Sequence, residues 1–246
     1  MEKLLSAHQP VYLPWLGFFH KIIVSDLFVI FDDVPYSKKM WYNRNYIGGP
    51  NNKILLSVPV KFKTSEQTKH KDILIDNSKN WQNDHWKSIS LSYSSFKYFD
   101  NYKDELEKIY NTKWIRLVDL NLSIISLILK YLKIETKIIR ASSYNFKKKK
   151  SELILEMCKK LKFKNYLFGE LGENYCNKGQ FLKNQITPFF QKYNHPIYEL
   201  NKKRKFEKNL CILDLIFSHG SESLNIITKD NYVKKIILIT IKIKNL

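Results

Sequence analysis

The chain predicts an α/β fold: a Rossmann-like, mainly parallel sheet with an inserted helical group. Three observations carry this expectation. Apolar runs of strand length at residues 4–7 and 27–31 flank an amphipathic segment, which makes a βαβ unit. The middle of the chain then repeats apolar residues at helical spacing. After that stretch the β-α-β order returns.

Each element follows from its local pattern. Residues 4–7 form the first strand. Pro10 and Pro14 come next; each lacks an N–H and restricts its predecessor, so the chain leaves the strand in a fixed extended loop. Residues 15–25 give a short amphipathic helix. Residues 27–31 are apolar throughout, as in a parallel strand buried on both faces. The crossover between the two strands is expected to be right-handed. A third strand is expected over 54–60, ending at Pro59 and a basic turn. Helices are expected over 81–93, 101–110 and 115–132; the last carries the stripe Leu117, Leu120, Ile124, Leu127 and Ile128, read as core packing. Residues 136–140 read as a strand, 151–161 as a helix and 166–168 as a short strand. An edge pair is expected at 186–190 and 197–200, and a last helix at 212–217. Residues 1–220 thus form a single α/β domain with a helical insertion at about 78–133, followed by a C-terminal extension at 221–246.

At 246 residues and 44% apolar, the chain can bury one sizeable core. No Pro/Gly/Ser linker or internal repeat divides it. No signal-peptide apolar region fits ahead of His8 and Pro10, and no apolar run reaches the ~18 residues that span a bilayer. Cys158, Cys176 and Cys211 lack paired spacing, so neither a disulfide framework nor a zinc site is expected, and a cytoplasmic location suits them. The net charge of +19 raises a nucleic-acid partner. Only Arg44, Arg116, Arg140 and Arg204 among the 42 basic residues are arginine, and abundant Lys, Ile and Asn together are what AT-rich coding produces. The charge is still concentrated at Lys147-Lys148-Lys149-Lys150, Lys159-Lys160 and Lys202-Lys203-Arg204-Lys205, surfaces that attract a phosphate-rich ligand.

The chemistry-bearing residues cluster beyond strand ends. His8 and Gln9 follow the first strand, where open α/β sheets bind ligands. The imidazole can accept a proton near neutral pH, and the amide suits a carbonyl or hydroxyl. Asp32 and Asp33 end the second strand and point to opposite faces. Asp32 is placed in the cleft, to orient His8 or bind a ligand amine; Asp33 caps the turn into Val34-Pro35 and is a candidate ligand contact. Trp15 and Trp41 offer aromatic walls, Arg44 a fork that matches a diphosphate, and Asn43 and Asn45 partners for sugar hydroxyls. Ser142 and Ser143 cap a helix or bond ligand oxygens, without the Gly-x-Ser-x-Gly elbow of a nucleophile. Gly169 permits close backbone approach, and Tyr175 and Tyr198 supply hydroxyls. No Cys, His or Asp group has metal-ligand spacing, so no metal is expected.

These segments carry a resemblance. His8-Gln9-Pro10-Val11-Tyr12-Leu13-Pro14-Trp15-Leu16-Gly17-Phe18, the strand ending in Asp32-Asp33, and Trp41-Tyr42-Asn43-Arg44-Asn45 resemble motifs of the WbqC-like family. Ser142-Ser143, Lys150-Ser151-Glu152-Leu153, Tyr166-Leu167-Phe168-Gly169, Tyr175 and the segment 210–220 follow in the same order, so the likeness covers roughly residues 4–220. Phe168 stands where the family pattern has a small residue, and Cys176 where it has an apolar one. The resemblance implies a place in bacterial O-antigen and surface-polysaccharide synthesis. Tyr12 and Gly17 of the first motif, and Lys21 three residues beyond it, are expected on the substrate side. A weaker likeness links the first loop to nucleotidyltransferases, whose His-x-Gly-His holds nucleotide phosphates at a helix N-terminus. Trp15 and Phe18 stand in place of those histidines, so the likeness bears on fold rather than adenylyl transfer.

The expected activity is acyl or aminoacyl transfer, glycyl included, to the amino group of a nucleotide-linked amino sugar. It needs a base and oxyanion donors but no resident cofactor. The activated donor is an aminoacyl-tRNA or an acyl-CoA. Two alternatives stand beside it: nucleotidyl or glycosyl transfer on the same fold, and a non-enzymatic RNA-binding or scaffolding module that uses the lysine surface.

Overall fold

The computed structural model describes residues 3–38, 40–62, 67–200 and 204–235. Lys202, Lys203 and the apolar run at 236–241 lie outside the described residues. Strand β1 (Leu4–His8) leads through helix α1 (Leu16–Ile23) into β2 (Leu27–Ile30), which pairs parallel to β1 from Leu5↔Leu27 to His8↔Ile30. A separate hairpin follows, β3 (Arg44–Gly48) against β4 (Lys53–Ser57), and then a small pair, β5 (Val60–Lys61) with β6 (Leu74–Ile75). The strand expected over 54–60 is therefore split at Pro59, whose missing N–H interrupts the ladder, and it stands outside the main sheet.

Helices α2 (Trp81–Tyr93), α3 (Phe99–Asn111) and α4 (Leu117–Tyr131) form the inserted group. The chain then re-enters the sheet as β7 (Lys137–Arg140), parallel to β2. Helix α5 (Lys150–Lys160) carries it to β8 (Asn165–Phe168), on the opposite side of β1. Two short helices, α6 (Gly172–Tyr175) and α7 (Lys178–Lys183), precede β9 (Thr187–Lys192), parallel to β8. After α8 (Leu213–His219) and α9 (Ser223–Thr228), β10 (Tyr232–Lys235) closes the edge antiparallel to β9.

The strand order is β10-β9-β8-β1-β2-β7, with five parallel strands and helices on both faces. Alternation along β2 shows how the faces are filled. Phe28 and Ile30 enter the core shared with α1 and the helical group, whereas Leu27 and Val29 enter a second core under α5. Two edge expectations are corrected. Residues 197–200 form no strand, since Tyr198 turns inward and packs edge-on against Phe206 (centroids 4.9 Å). Their place at the edge is taken by β10, from the segment expected to be an extension.

Candidate active site

The chain runs from β1 to β2 in one direction across the sheet and later returns to β8 on β1's other side, so the order reverses between β1 and β8. Such a switch point opens a crevice at the strands' carboxyl ends. A cleft of about 550 Å³ lies there, within the size range of small-molecule sites. Its polar lining includes His8 at the end of β1, Gln9 just after it, Lys21 on α1, Gln191 near the end of β9, and Tyr193 just beyond that strand.

The loop after β1 is pinned. The N–H of Tyr12 donates to the Tyr42 carbonyl (3.0 Å), Asn45 Nδ2 to the Leu13 carbonyl (2.6 Å), and the N–H of Ile212 to the Pro14 carbonyl (3.0 Å). These bonds hold Leu13 at φ 44°, a left-handed conformation costing roughly 1–2 kcal/mol for a residue with a Cβ. Gly17 then lets the Trp15 indole fold over the start of α1; a Cβ there would fall 2.2 Å from the ring.

His8 is half-buried, and its Nδ1 lies 2.8 Å from the Gln9 carbonyl oxygen. A carbonyl only accepts, so Nδ1 carries the hydrogen and Nε2 the lone pair. Burial lowers the pKa to about 4; the Lys21 charge adds to the shift, and the Gln9 bond opposes it. At neutral pH the imidazole is a neutral acceptor. Lys21 is buried, with Nζ donating to the Ala7 carbonyl at 2.9 Å, and burial lowers its pKa to about 7. Among the described residues lining the cleft, Lys21 and Glu170 are the charged pair. Gln191 is buried, and its Nε2 donates to the Gly17 carbonyl (2.8 Å) and to Nδ1 of His20 (2.9 Å). With both donors committed, Gln191 offers a ligand its Oε1 acceptor.

Of the residues expected at the site, the cleft brings together His8, Gln9, Trp15, Gly17, Lys21, Gly169 and Tyr175. The others are engaged elsewhere. Tyr12 is fully buried, its hydroxyl 2.8 Å from Nδ1 of His85 and 2.7 Å from the Tyr110 hydroxyl, so it docks the helical group rather than a substrate. Asp32 does not orient His8. It is fully buried, receiving Arg140 Nε (2.6 Å), the Ser142 N–H (2.9 Å) and the Ser142 hydroxyl (2.6 Å), which ties the ends of β2 and β7 together. Ser142 is thereby committed too, and Ser143 is exposed.

The hairpin residues are likewise reassigned. Asn43 Nδ2 donates to the Val58 carbonyl (2.7 Å), and Asn45 spans Leu13 and the Tyr46 N–H (2.8 Å), so both amides support backbone. Arg44 lies over the exposed Trp41 ring, its guanidinium carbon 5.3 Å from the centroid, and neither residue lines the cleft. Tyr198 donates to Asp214 (3.2 Å) inside a buried cluster with Tyr93 and Arg204, the latter ion-paired to Asp214. Asp33 is held by Lys69 (3.0 Å) and Lys71 (2.6 Å) at a second cleft.

Sequence reasoning missed Gln191, Tyr193, Glu170, His20 and His70. Gln191 sits one residue past the strand expected to stop at 190, so the strand-end rule that found His8 applies to it as well. His70 backs onto Tyr42, a cleft residue, with ring centroids 4.4 Å apart; no pattern near it in sequence signals this. Among the described residues, no three His, Cys, Asp or Glu side chains converge as a metal site, and no helix is long and apolar enough to cross a membrane.

Fold and site together define an α/β protein with a mainly parallel sheet and a cleft, lined by apolar surface and a few polar groups, at the switch point of that sheet. Residues 9–226 match the WbqC-like protein family, and the chain belongs to it. It is 29% identical over 222 residues to an uncharacterized protein of Mycobacterium tuberculosis, Rv1507c, covering 90% of this chain and 96% of that one. No solved structure matches the chain.

Proposed function

We propose that the cleft transfers an acyl or aminoacyl group, glycyl among them, to the amino group of a nucleotide-linked amino sugar, as a cytoplasmic step of O-antigen synthesis. The observation that carries this reading is His8 at the switch point. Its tautomer is set by the Gln9 carbonyl, and Nε2 is left as the acceptor.

The sugar amine attacks the acyl carbonyl carbon, forming the C–N bond, and its proton goes to His8 Nε2. The tetrahedral oxyanion is held by the Lys21 ammonium and the Gln9 side-chain amide. As the C–O bond of an aminoacyl ester or the C–S bond of a thioester breaks, His8 returns the proton to the leaving oxygen or sulfur. Burial and the neighbouring Lys21 disfavour an imidazolium, so the proton is readily handed on. Lys21, and not Arg44, is the cationic side chain among the described residues that line the cleft.

Mass spectrometry of ligand retained by the purified protein, followed by incubation with that ligand and an acyl-CoA or aminoacyl-tRNA, tests the reading. The expected result is a sugar nucleotide whose mass rises by one acyl group, and no such rise with His8→Asn. A retained ligand of another class, or unchanged turnover in the variant, overturns it.

A further inference from the structure

A second cleft, of about 360 Å³, opens beside the first, beyond the carboxyl ends of β2 and β7. Its floor is apolar: Val34, Pro35, Ala141, Phe146 and Leu153. Its rim carries Lys69 and the tract Lys147, Lys148, Lys149 and Lys150. The carboxylate present, Asp33, is already paired with Lys69 and Lys71. The start of the tract is anchored to α5 through its backbone. Glu156 on α5 accepts the backbone N–H of Lys147 (2.8 Å) and of Lys148 (2.9 Å), while Lys160 braces the same carboxylate at 3.0 Å. The backbone is thus fastened while the four ammonium groups stay exposed. Four consecutive positive charges on an anchored backbone raise the local positive potential, which attracts a polyanion.

We propose that this second cleft binds a nucleotide bearing clustered phosphates, with its base on the apolar floor and its phosphates on the lysine rim. Within the acyl-transfer reading, on which this assignment rests, that nucleotide is the handle of the activated donor. Coenzyme A and the 3′ end of a tRNA share that chemistry, an adenosine next to phosphates. The geometry suits transfer between sites. Leu153 lines the second cleft and its neighbour Ile154 the first, so the start of α5 borders both.

Equilibrium binding tests the site without turnover, so its failure is separable from that of the acyl-transfer reading. The probes are adenosine 3′,5′-bisphosphate and an RNA minihelix ending in CCA. Three full-length proteins are compared: wild type, Lys147→Ala/Lys148→Ala/Lys149→Ala, and Lys79→Ala/Lys87→Ala/Lys108→Ala. The last removes equal charge from exposed positions elsewhere. Because the tract lysines are exposed, equal melting temperatures are expected for all three proteins. At least one probe should bind wild type and the distal variant alike and the tract variant about tenfold or more weakly, with a shallower salt slope. Saturation by the bisphosphate assigns a coenzyme-A-type donor, and saturation by the minihelix alone an RNA donor. The proposal is overturned if neither probe binds wild type below about 1 mM. Equal weakening in both variants overturns it as well, since that reports net charge rather than a site.

Discussion

At the mouth of β1, His8 has one ring nitrogen tied to a carbonyl and Gln9 lines an open cleft; in the β3 hairpin, Asn43 and Asn45 spend their amides on the backbone of Val58, Leu13 and Tyr46. Both regions read in sequence as strings of polar and aromatic residues suited to a sugar nucleotide. The sheet topology separates them. A polar side chain at the switch point faces a crevice that no later element fills among the described residues. One in the hairpin faces a loop whose carbonyls must find donors once buried. The hairpin box therefore supports the first loop, and the start of that loop lines the cleft with His8 and Gln9. Asp32 sharpens the point: it follows β2 by two residues, yet its carboxylate joins the ends of β2 and β7.

The largest expected effect lies on the cleft side. His8→Asn should lower turnover by about 10²–10⁴-fold, the usual contribution of a general base, with little change in melting temperature. A variant that keeps full activity would move His8 to the structural side of the comparison. Lys21 comes next. Lys21→Met should reduce kcat/KM by about 10²-fold, as for loss of an oxyanion donor. In wild type, kcat/KM should fall as pH rises past about 7, where the free protein loses the Lys21 proton, and the variant should lack that limb. Stability has the opposite sign. The lysine pKa drops from an ordinary 10.5 to about 7 on folding, so the unfolded chain binds more protons between these values and stability rises with pH across that window. A Lys21→Met protein that still gains stability between pH 7 and 10 would show that Lys21 is not the buried amine.

On the structural side, Asp32→Asn should cost about 2–4 kcal/mol in denaturant unfolding, because it strips a buried carboxylate from Arg140 and Ser142. Arg140 is partly exposed and can recover water, which keeps the loss below that of a fully enclosed pair. Turnover measured where the variant is folded should change far less than for His8→Asn. A large loss of turnover without a loss of stability would return Asp32 to the catalytic group.

Legibility in the sequence tracked this same divide. Parallel strands and amphipathic helices have a strict period, so β1, β2, α2, α4 and α8 stand within a few residues of where the pattern puts them. The strand-end rule likewise placed His8, Gln9 and Gly169 in the cleft. What sequence could not supply was the direction of a polar side chain. Tyr12 reaches His85, 73 positions away, and Tyr198 reaches Asp214 in a cluster completed by Tyr93 and Arg204. Those partners are set by how the helical group packs, and no local spacing encodes it. The edge strand was missed for a related reason: β10 pairs with β9 although Lys192 and Tyr232 stand 40 positions apart in sequence, beyond the reach of any periodic signal.

The smallest expected effect tests the hairpin itself. Trp41 is 46% exposed, and its ring serves as a platform for Arg44 at 5.3 Å. A cation–π contact at an exposed site contributes about 0.5–1 kcal/mol, so Trp41→Ala should shift unfolding by no more than that. If the ring were instead a wall for a base or sugar, removing it would weaken ligand binding, since burying an aromatic face against a ligand contributes far more than a solvated contact. The ring stands outside the lining of the switch-point cleft, so the affinity for a sugar nucleotide should stay within about twofold of wild type. A tenfold rise in KM with unchanged stability would place the hairpin box at the substrate after all. The binding surface would then extend from the switch point onto the hairpin, and the division drawn between the two regions would fail at Trp41.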